Sequence, residues 1–215
     1  MSCQHVTPAR TESSNWLDDL SRRQLSDGSF AALVRDRHVR GATLSLAAFA
    51  KTLVDSDVYL PQIQELALRE VSADEALRAL IAYDARWACD VLQEVYVRSS
   101  GVDGRICVDL DPRSAHDTDR IVAEAKALWW LVDRPNLVVG IAATRPGLSA
   151  ITACLAEGIS VNATQICSRT RYADVLPEHD EAQQVEDDSV AVVNTAWYQL
   201  DLELGKALHS RGRTP

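Results

Sequence analysis

The sequence predicts an α/β fold built on a parallel sheet, and three features carry that expectation. Short apolar strand-like segments alternate with amphipathic helical ones. Each strand-like segment ends in a turn that feeds a helical pattern. The most apolar of them, within residues 136–148 (NLVVGIAATRPGL), is a nearly unbroken apolar run, as expected of a strand buried on both faces. In sheets of this kind chemistry gathers where strand passes into helix, so residues 140–145 are expected to face any active site.

The elements follow in order. Residues 1–13 are polar and without periodicity, which predicts a disordered leader, and residues 14–215 are read as one domain. A short strand over 15–18 ends in the carboxylate of Asp18. Ser26-Asp27-Gly28 marks a turn, residues 30–37 a helical turn or two, and residues 38–45 a second strand. From 46 to 98 apolar residues recur at spacings of three and four, a helical pattern with Glu65, Glu70, Asp74 and Glu75 on its solvated faces. Residues 105–110 (RICVDL) form a third strand, broken by Asp111-Pro112. The helix over 118–131 is expected to be capped by Asp117 or Thr118. After the fourth strand, a helix over 148–156 stops at Gly158. The fifth strand, within 158–166, puts Asn162 and Thr164 on one face. A helix from Arg171, an acidic loop over 178–188, a sixth strand within 189–195 and a helix over 196–209 complete the chain.

Composition excludes several classes. A formal charge of −9 and a pI near 5.0 disfavour nucleic acid and anionic membrane as partners, because both demand a positive surface. No apolar run approaches the roughly 20 residues that span a bilayer, and the polar N-terminus lacks the apolar core of a secretion signal, so a cytoplasmic location is expected. The five cysteines are scattered without CxxC spacing, which argues against a disulfide framework or zinc site. No metal or cofactor is expected.

Four separated segments then carry a family resemblance: WLDDLSR at 16–22, ACDVLQEVYVRSSGVDGRICVDLDPRSAHDT at 88–118, EAKALWWLVDRPNLVVGIAAT at 124–144 and GISVNATQICS at 158–168. Together they closely resemble the transaldolase family. The resemblance implies a (β/α) barrel of the triosephosphate isomerase type, here incomplete, with about six strand–helix units. It also implies a sugar-handling site, in which a lysine forms an imine with the substrate carbonyl while an aspartate, a glutamate and a threonine move protons. Asp18 matches that aspartate, Asp109 stands at the glutamate, Thr164 matches the threonine and Asn162 a neighbouring substrate-binding asparagine. Gly140 stands at the lysine. The family's TTNP becomes Thr43-Leu44-Ser45-Leu46, so Ser45 replaces an asparagine. The family's PAT becomes Ala142-Ala143-Thr144, its strand-five phenylalanine is Cys167, and its phosphate-binding arginine falls near Trp197.

The candidate set is therefore Asp18, Asp109 and Thr164 for proton transfer, with Ser45, Asn162, Arg145, Arg169, Cys167 and Gly140 as substrate contacts. Arg145 and Arg169 follow strands four and five, where they could hold an anion, although exposed solubilising arginines would look the same. Cys107 and Cys167 lack a neighbouring histidine in sequence and read more simply as buried packing. An imine needs a primary amine with a suppressed pKa, and Lys51, Lys126 and Lys206 all lie within helical patterns.

Two functions are consistent with this pattern. One is a repurposed, lysine-independent acid–base enzyme acting by dehydration, isomerisation, cyclisation or condensation on a small polar or carbonyl-bearing metabolite, in specialised biosynthesis. The other is a non-catalytic pseudoenzyme that binds a metabolite or partner. The resemblance also implies that long-form relatives continue through two further strand–helix units, so six units would leave two sheet edges for a homodimer to cover. Light scattering at low protein concentration is expected to give about twice 23.6 kDa, and a stable mass at 23.6 kDa would contradict the dimer.

Overall fold

The computed structural model describes residues 15–54, 57–166 and 191–193. Six strands pair in parallel in the order of the sequence: β1 (Asn15–Leu17), β2 (Val39–Leu44), β3 (Arg105–Asp109), β4 (Leu137–Ala142), β5 (Val161–Thr164) and β6 (Ala191–Val193). Each strand lies beside its predecessor, and the order never reverses. A doubly wound sheet reverses direction at a switch point; a sheet laid down strictly in sequence is the unit of a (β/α) barrel. Among the described residues the sheet is open, an incomplete barrel.

Seven α-helices are described: α1 (Arg22–Ser26), α2 (Ser29–Asp36), α3 (Leu46–Val54), α4 (Leu60–Leu68), α5 (Ala73–Arg98), α6 (Thr118–Val132) and α7 (Arg145–Ala156). The helical expanse expected over 46–98 is thus three helices. Ser72 separates the last two: its hydroxyl accepts from the Glu75 amide while the Glu75 carboxylate accepts from the Ser72 amide, a reciprocal N-cap. A second such box, Ser21 with Gln24, starts α1, which the sequence reading passed over. Asp117 caps α6 as expected. The helix after β4 begins three residues earlier than expected, because the Thr144 side chain accepts from the Gly147 amide and Pro146 sits in the first turn, where a missing N–H costs nothing.

Strand register explains how the sheet divides its faces. Ala42, Leu44, Ile106, Val108, Leu137, Val139, Ile141, Val161 and Ala163 belong to one buried cluster with Leu80, Ala85, Leu92, Ile121, Leu128 and Ile151 from the helices. The alternate residues are Gly41, Thr43, Cys107, Asp109, Val138, Gly140, Asn162 and Thr164, cross-paired on neighbouring strands. Apart from Val138 they are small or polar, and they face away from the helices. On that face Trp16 lies against Gly41, where a Cβ would come within 2.5 Å of the indole. Asn136, fully buried ahead of β4, donates to the Cys89 carbonyl at 3.0 Å and the Gly104 carbonyl at 2.8 Å, tying α5 and the entry of β3 to the start of β4. Of the adjacent tryptophans on α6, Trp129 packs against the core, whereas Trp130 is 75% exposed.

One buried ion pair joins the N-terminal segment to the helical layer. The Arg22 Nε donates to Asp84 at 2.5 Å, and the Tyr59 hydroxyl donates to the other carboxylate oxygen at 2.9 Å. The guanidinium also stacks on the Tyr59 ring, 4.3 Å from its centroid. Burial pushes the Tyr59 hydroxyl up to about 12, helped by the Asp84 charge. Burial likewise raises Asp84, while Arg22 and Tyr59 pull it back. Removing one member strands a buried charge. Asp84→Ala is therefore expected to cost about 3–5 kcal/mol in urea unfolding, and a loss below about 1 kcal/mol would show that the triad carries no stability.

Candidate active site

The C-terminal ends of β1, β2, β3 and β5 surround a cavity of about 300 Å³ lined by Asp18, Asp19, Thr43, Ser45, Asp109, Asn162 and Thr164, among others. A second cavity of about 190 Å³ adjoins it towards β4 and shares Ser45, Asp109 and Thr164, adding Gly140 and Ala142. The strand ends thus gather six of the nine expected site residues: Asp18, Ser45, Asp109, Gly140, Asn162 and Thr164. Arg145 is not among them. It is the first residue of α7, exposed, and lines neither cavity, because the early start of that helix carries its side chain away from the strand end. Arg169 and Cys167 lie outside the described residues.

Local structure fixes the acidic side chains. Asp19 adopts a left-handed backbone (φ 56°), a conformation that aspartate tolerates better than most residues, and this turns the chain sharply after β1. Its amide donates to the Thr43 hydroxyl oxygen at 3.1 Å, and the Ser45 hydroxyl donates to its carboxylate at 2.6 Å. The Thr43 hydroxyl donates in turn to Asp18 at 3.4 Å. The sequence reading missed Asp19 and Thr43. The signal was the doubled carboxylate in WLDD, where strand alternation directs attention to the first residue alone.

Asp109 sits deeper. The Cys107 thiol donates to its Oδ1 at 3.9 Å, and Asn162 Nδ2 donates to the Cys107 sulfur at 3.4 Å. Burial raises the Asp109 carboxyl above the ordinary carboxylate range, and the negative charges of Asp19 and Asp18 raise it further, against the lowering contact from Cys107. The same burial holds the Cys107 thiol at about 12, so it is an inert link and no nucleophile.

Gly140 pairs with Asp109 across β3 and β4. A Cβ at 140 would overlap Asp109 Oδ1 and press on Asp109 Cα at 3.1 Å and Cγ at 3.2 Å. The carboxyl therefore occupies the space into which a side chain at 140 would project. Neither Lys51 nor Lys126 approaches the site: Lys51 is exposed on α3, and Lys126 is ion-paired with Glu157 at 2.7 Å in the helical layer. Among the described residues no group of three or more His, Cys, Asp or Glu is arranged to hold a metal ion. No described helix is long and apolar enough to cross a membrane.

A parallel sheet wound in sequence, with carboxylates, a threonine and an asparagine at its C-terminal mouth, is the arrangement of a (β/α)-barrel protein. The family model for transaldolase/fructose-6-phosphate aldolase matches residues 15–193, and the chain belongs to that family. It is 56% identical over 161 residues to a transaldolase of Acidothermus cellulolyticus, covering 75% of this chain and 43% of that protein. It is 50% identical over 200 residues to a transaldolase of Thermobifida fusca, covering 90% and 54%. Transaldolase 1 of Streptomyces avermitilis is 41% identical over 204 residues, covering 92% and 54%. The chain thus spans about half the length of these curated relatives.

The raised Asp109 pKa has a consequence for stability. A carboxyl whose folded pKa lies above its unfolded value of about 3.9 favours the fold fully below that value, and the benefit is lost as pH rises through the folded pKa. Asp109→Asn removes the titration. The variant is therefore expected to gain melting temperature relative to wild type at pH 7.5 compared with pH 4, and a difference that does not change with pH would contradict the assignment.

Proposed function

We propose that this transaldolase-family chain works without an imine, as an acid–base catalyst on a small polar or carbonyl-bearing molecule. The observation that carries the reading is the Asp109 carboxyl in the space that a side chain at Gly140 would need, the position where the family resemblance puts the amine nucleophile. The lysines described elsewhere, Lys51 and Lys126, line neither cavity. Loss of an essential nucleophile removes many powers of ten in rate. The relatives' name, transaldolase, describes those proteins; Gly140, at the position where the family resemblance puts the lysine, is what sets this reading apart from that name.

Burial and two like charges keep Asp109 closer to neutrality than an ordinary carboxylate, which suits it to give a proton to a leaving or carbonyl oxygen. Asp18, at the exposed rim and hydrogen-bonded by Thr43, suits the complementary role of proton acceptor. The Thr164 hydroxyl, opposite on β5, can relay or orient the substrate. Proton removal from one carbon and proton delivery to a neighbouring oxygen together make a dehydration or an isomerisation, and neither requires an amine.

Borohydride treatment in the presence of fructose 6-phosphate is expected to leave the intact mass of the protein unchanged, and an adduct of the reduced sugar's mass would overturn the proposal. With a turned-over substrate in hand, Asp18→Asn and Asp109→Asn should each lower the rate by about 10²-fold or more. Wild-type rates in both, with the fold intact, would remove Asp18 and Asp109 from the chemistry and overturn their assigned roles.

A further inference from the structure

The two cavities at the strand ends share Ser45, Asp109 and Thr164 but differ in chemistry. The larger is polar, with Asp18, Asp19, Thr43 and Asn162. The smaller, of about 190 Å³, is walled by Leu46, Leu110, Pro112, Ala115 and Ile121, with Gly140 and Ala142 at its base. Proton transfer among Asp18, Asp109 and Thr164 makes no use of that apolar wall.

The polar groups that line the smaller cavity and not the larger already hold partners. The Asp111 carboxylate accepts from the Arg113 amide at 2.8 Å and from its Nε at 2.7 Å. The Ser114 hydroxyl, buried, lies 2.6 Å from the Asp111 carbonyl and 2.8 Å from Glu124 Oε2. The backbone is closed in the same way: the Leu110 amide donates to the Gly140 carbonyl at 3.0 Å, and the Ala115 amide to the Pro112 carbonyl at 3.2 Å. What these walls offer a ligand is shape and apolar contact.

The strand period shows where the room comes from. Gly140 and Ala142 are alternate residues of β4, so both face the mouth. A side chain longer than methyl at 142 would stand in the smaller cavity, and at 140 the Asp109 carboxyl excludes even a Cβ. An apolar cavity of about 150 Å³ is enough to take up benzene, so the smaller cavity is of the size for an arm of about four to six carbons.

We infer that the ligand of this mouth is amphipathic, with a hydroxyl- or carbonyl-bearing head among Asp18, Asp109 and Thr164 and a compact apolar arm against Leu46, Leu110, Pro112 and Ile121. Asp109 and Thr164, which line both cavities, stand at the junction of head and arm, beside the atoms that the proposed proton transfers involve. A fully hydroxylated chain would press its hydroxyls on the apolar wall, giving up water without gaining a partner. The inference rests on the imine-free reading above, since it takes the same mouth as the substrate site and needs position 140 to stay without a side chain.

The test titrates three unreactive probes into the full chain: propane-1,2-diol, hexane-1,2-diol and sorbitol. The Gly140 and Ala142 amides are followed by ¹⁵N NMR. Propane-1,2-diol carries the head alone, hexane-1,2-diol adds an apolar arm, and sorbitol has the same six-carbon chain with every carbon hydroxylated. Hexane-1,2-diol is expected to shift both amides and to bind at least about tenfold tighter than either of the others, as burial of a few methylenes supplies. Ala142→Leu, whose side chain fills the smaller cavity, should cut that advantage several-fold while leaving propane-1,2-diol unchanged. Should that variant misfold, Leu46→Ser at the partly exposed wall is expected to lower the advantage in the same direction. Sorbitol or propane-1,2-diol binding as tightly as hexane-1,2-diol, amides that do not move, or an advantage that survives both substitutions would each overturn the inference. Borohydride trapping keeps the two readings apart: an adduct with fructose 6-phosphate defeats the imine-free function, whereas no adduct with no preference for hexane-1,2-diol defeats only the apolar-arm site.

Discussion

Everything at the mouth depends on the period of two along β2 to β5. One set of strand residues, Leu44, Ile106, Val108, Val139, Ile141 and Val161 among them, is committed to the helical layer, and burial of that apolar surface drives the fold. The alternate set is thereby released from packing and can hold Thr43, Asp109, Gly140, Asn162 and Thr164 in a row across parallel strands. A shift of register by one residue in any strand would exchange the two sets, turning carboxylates into the core and valines into the cavity. The apolar contacts thus specify the positions of the polar groups without touching them.

Within that frame the acidic side chains are held by short polar links rather than by opposite charge. Asp18 and Asp19 take hydroxyl hydrogens from Thr43 and Ser45, and among the described residues Asp109 is reached through the Cys107 thiol. The contrast with Asp84 is instructive. That carboxylate is fully buried, but it has Arg22 and Tyr59, and its place is structural. The two aspartates differ in role because Asp84 has its countercharge, whereas half-buried Asp109 has none among the described residues.

The order of the strands and the face carrying Asn162 and Thr164 were legible in the sequence from periodicity, and the clustering of six site residues was what the family resemblance implied. What escaped it depends on long-range geometry. Asp84 sits in a helical run where charged residues normally face water, and only the folded chain brings Arg22 to it across 62 positions. The Asp19 backbone at positive φ and the reach of Thr43 depend on a turn that a doubled aspartate does not announce. The start of α7 at Arg145 moved that side chain out of the site, since a capping threonine outweighed the apolar pattern that suggested a later start. Gly140 could be recognised as a missing amine, but nothing in a linear string says that the neighbouring strand fills the space.

The contact between Trp16 and Gly41 has a consequence for how the cavity can change. Gly41 stands two residues behind Thr43, and the indole laid over it forms a floor beneath the polar mouth. Room below the mouth depends on this pair, which lies behind the cavities and outside their lining. A larger residue at 41 has to expel the indole, and with it the strand that presents Asp18. A smaller one at 16 opens room below the mouth while leaving the rim intact. Ligand length and the proton-handling groups can in this way diverge separately, the first through residues 16 and 41 and the second through residues 18 and 109.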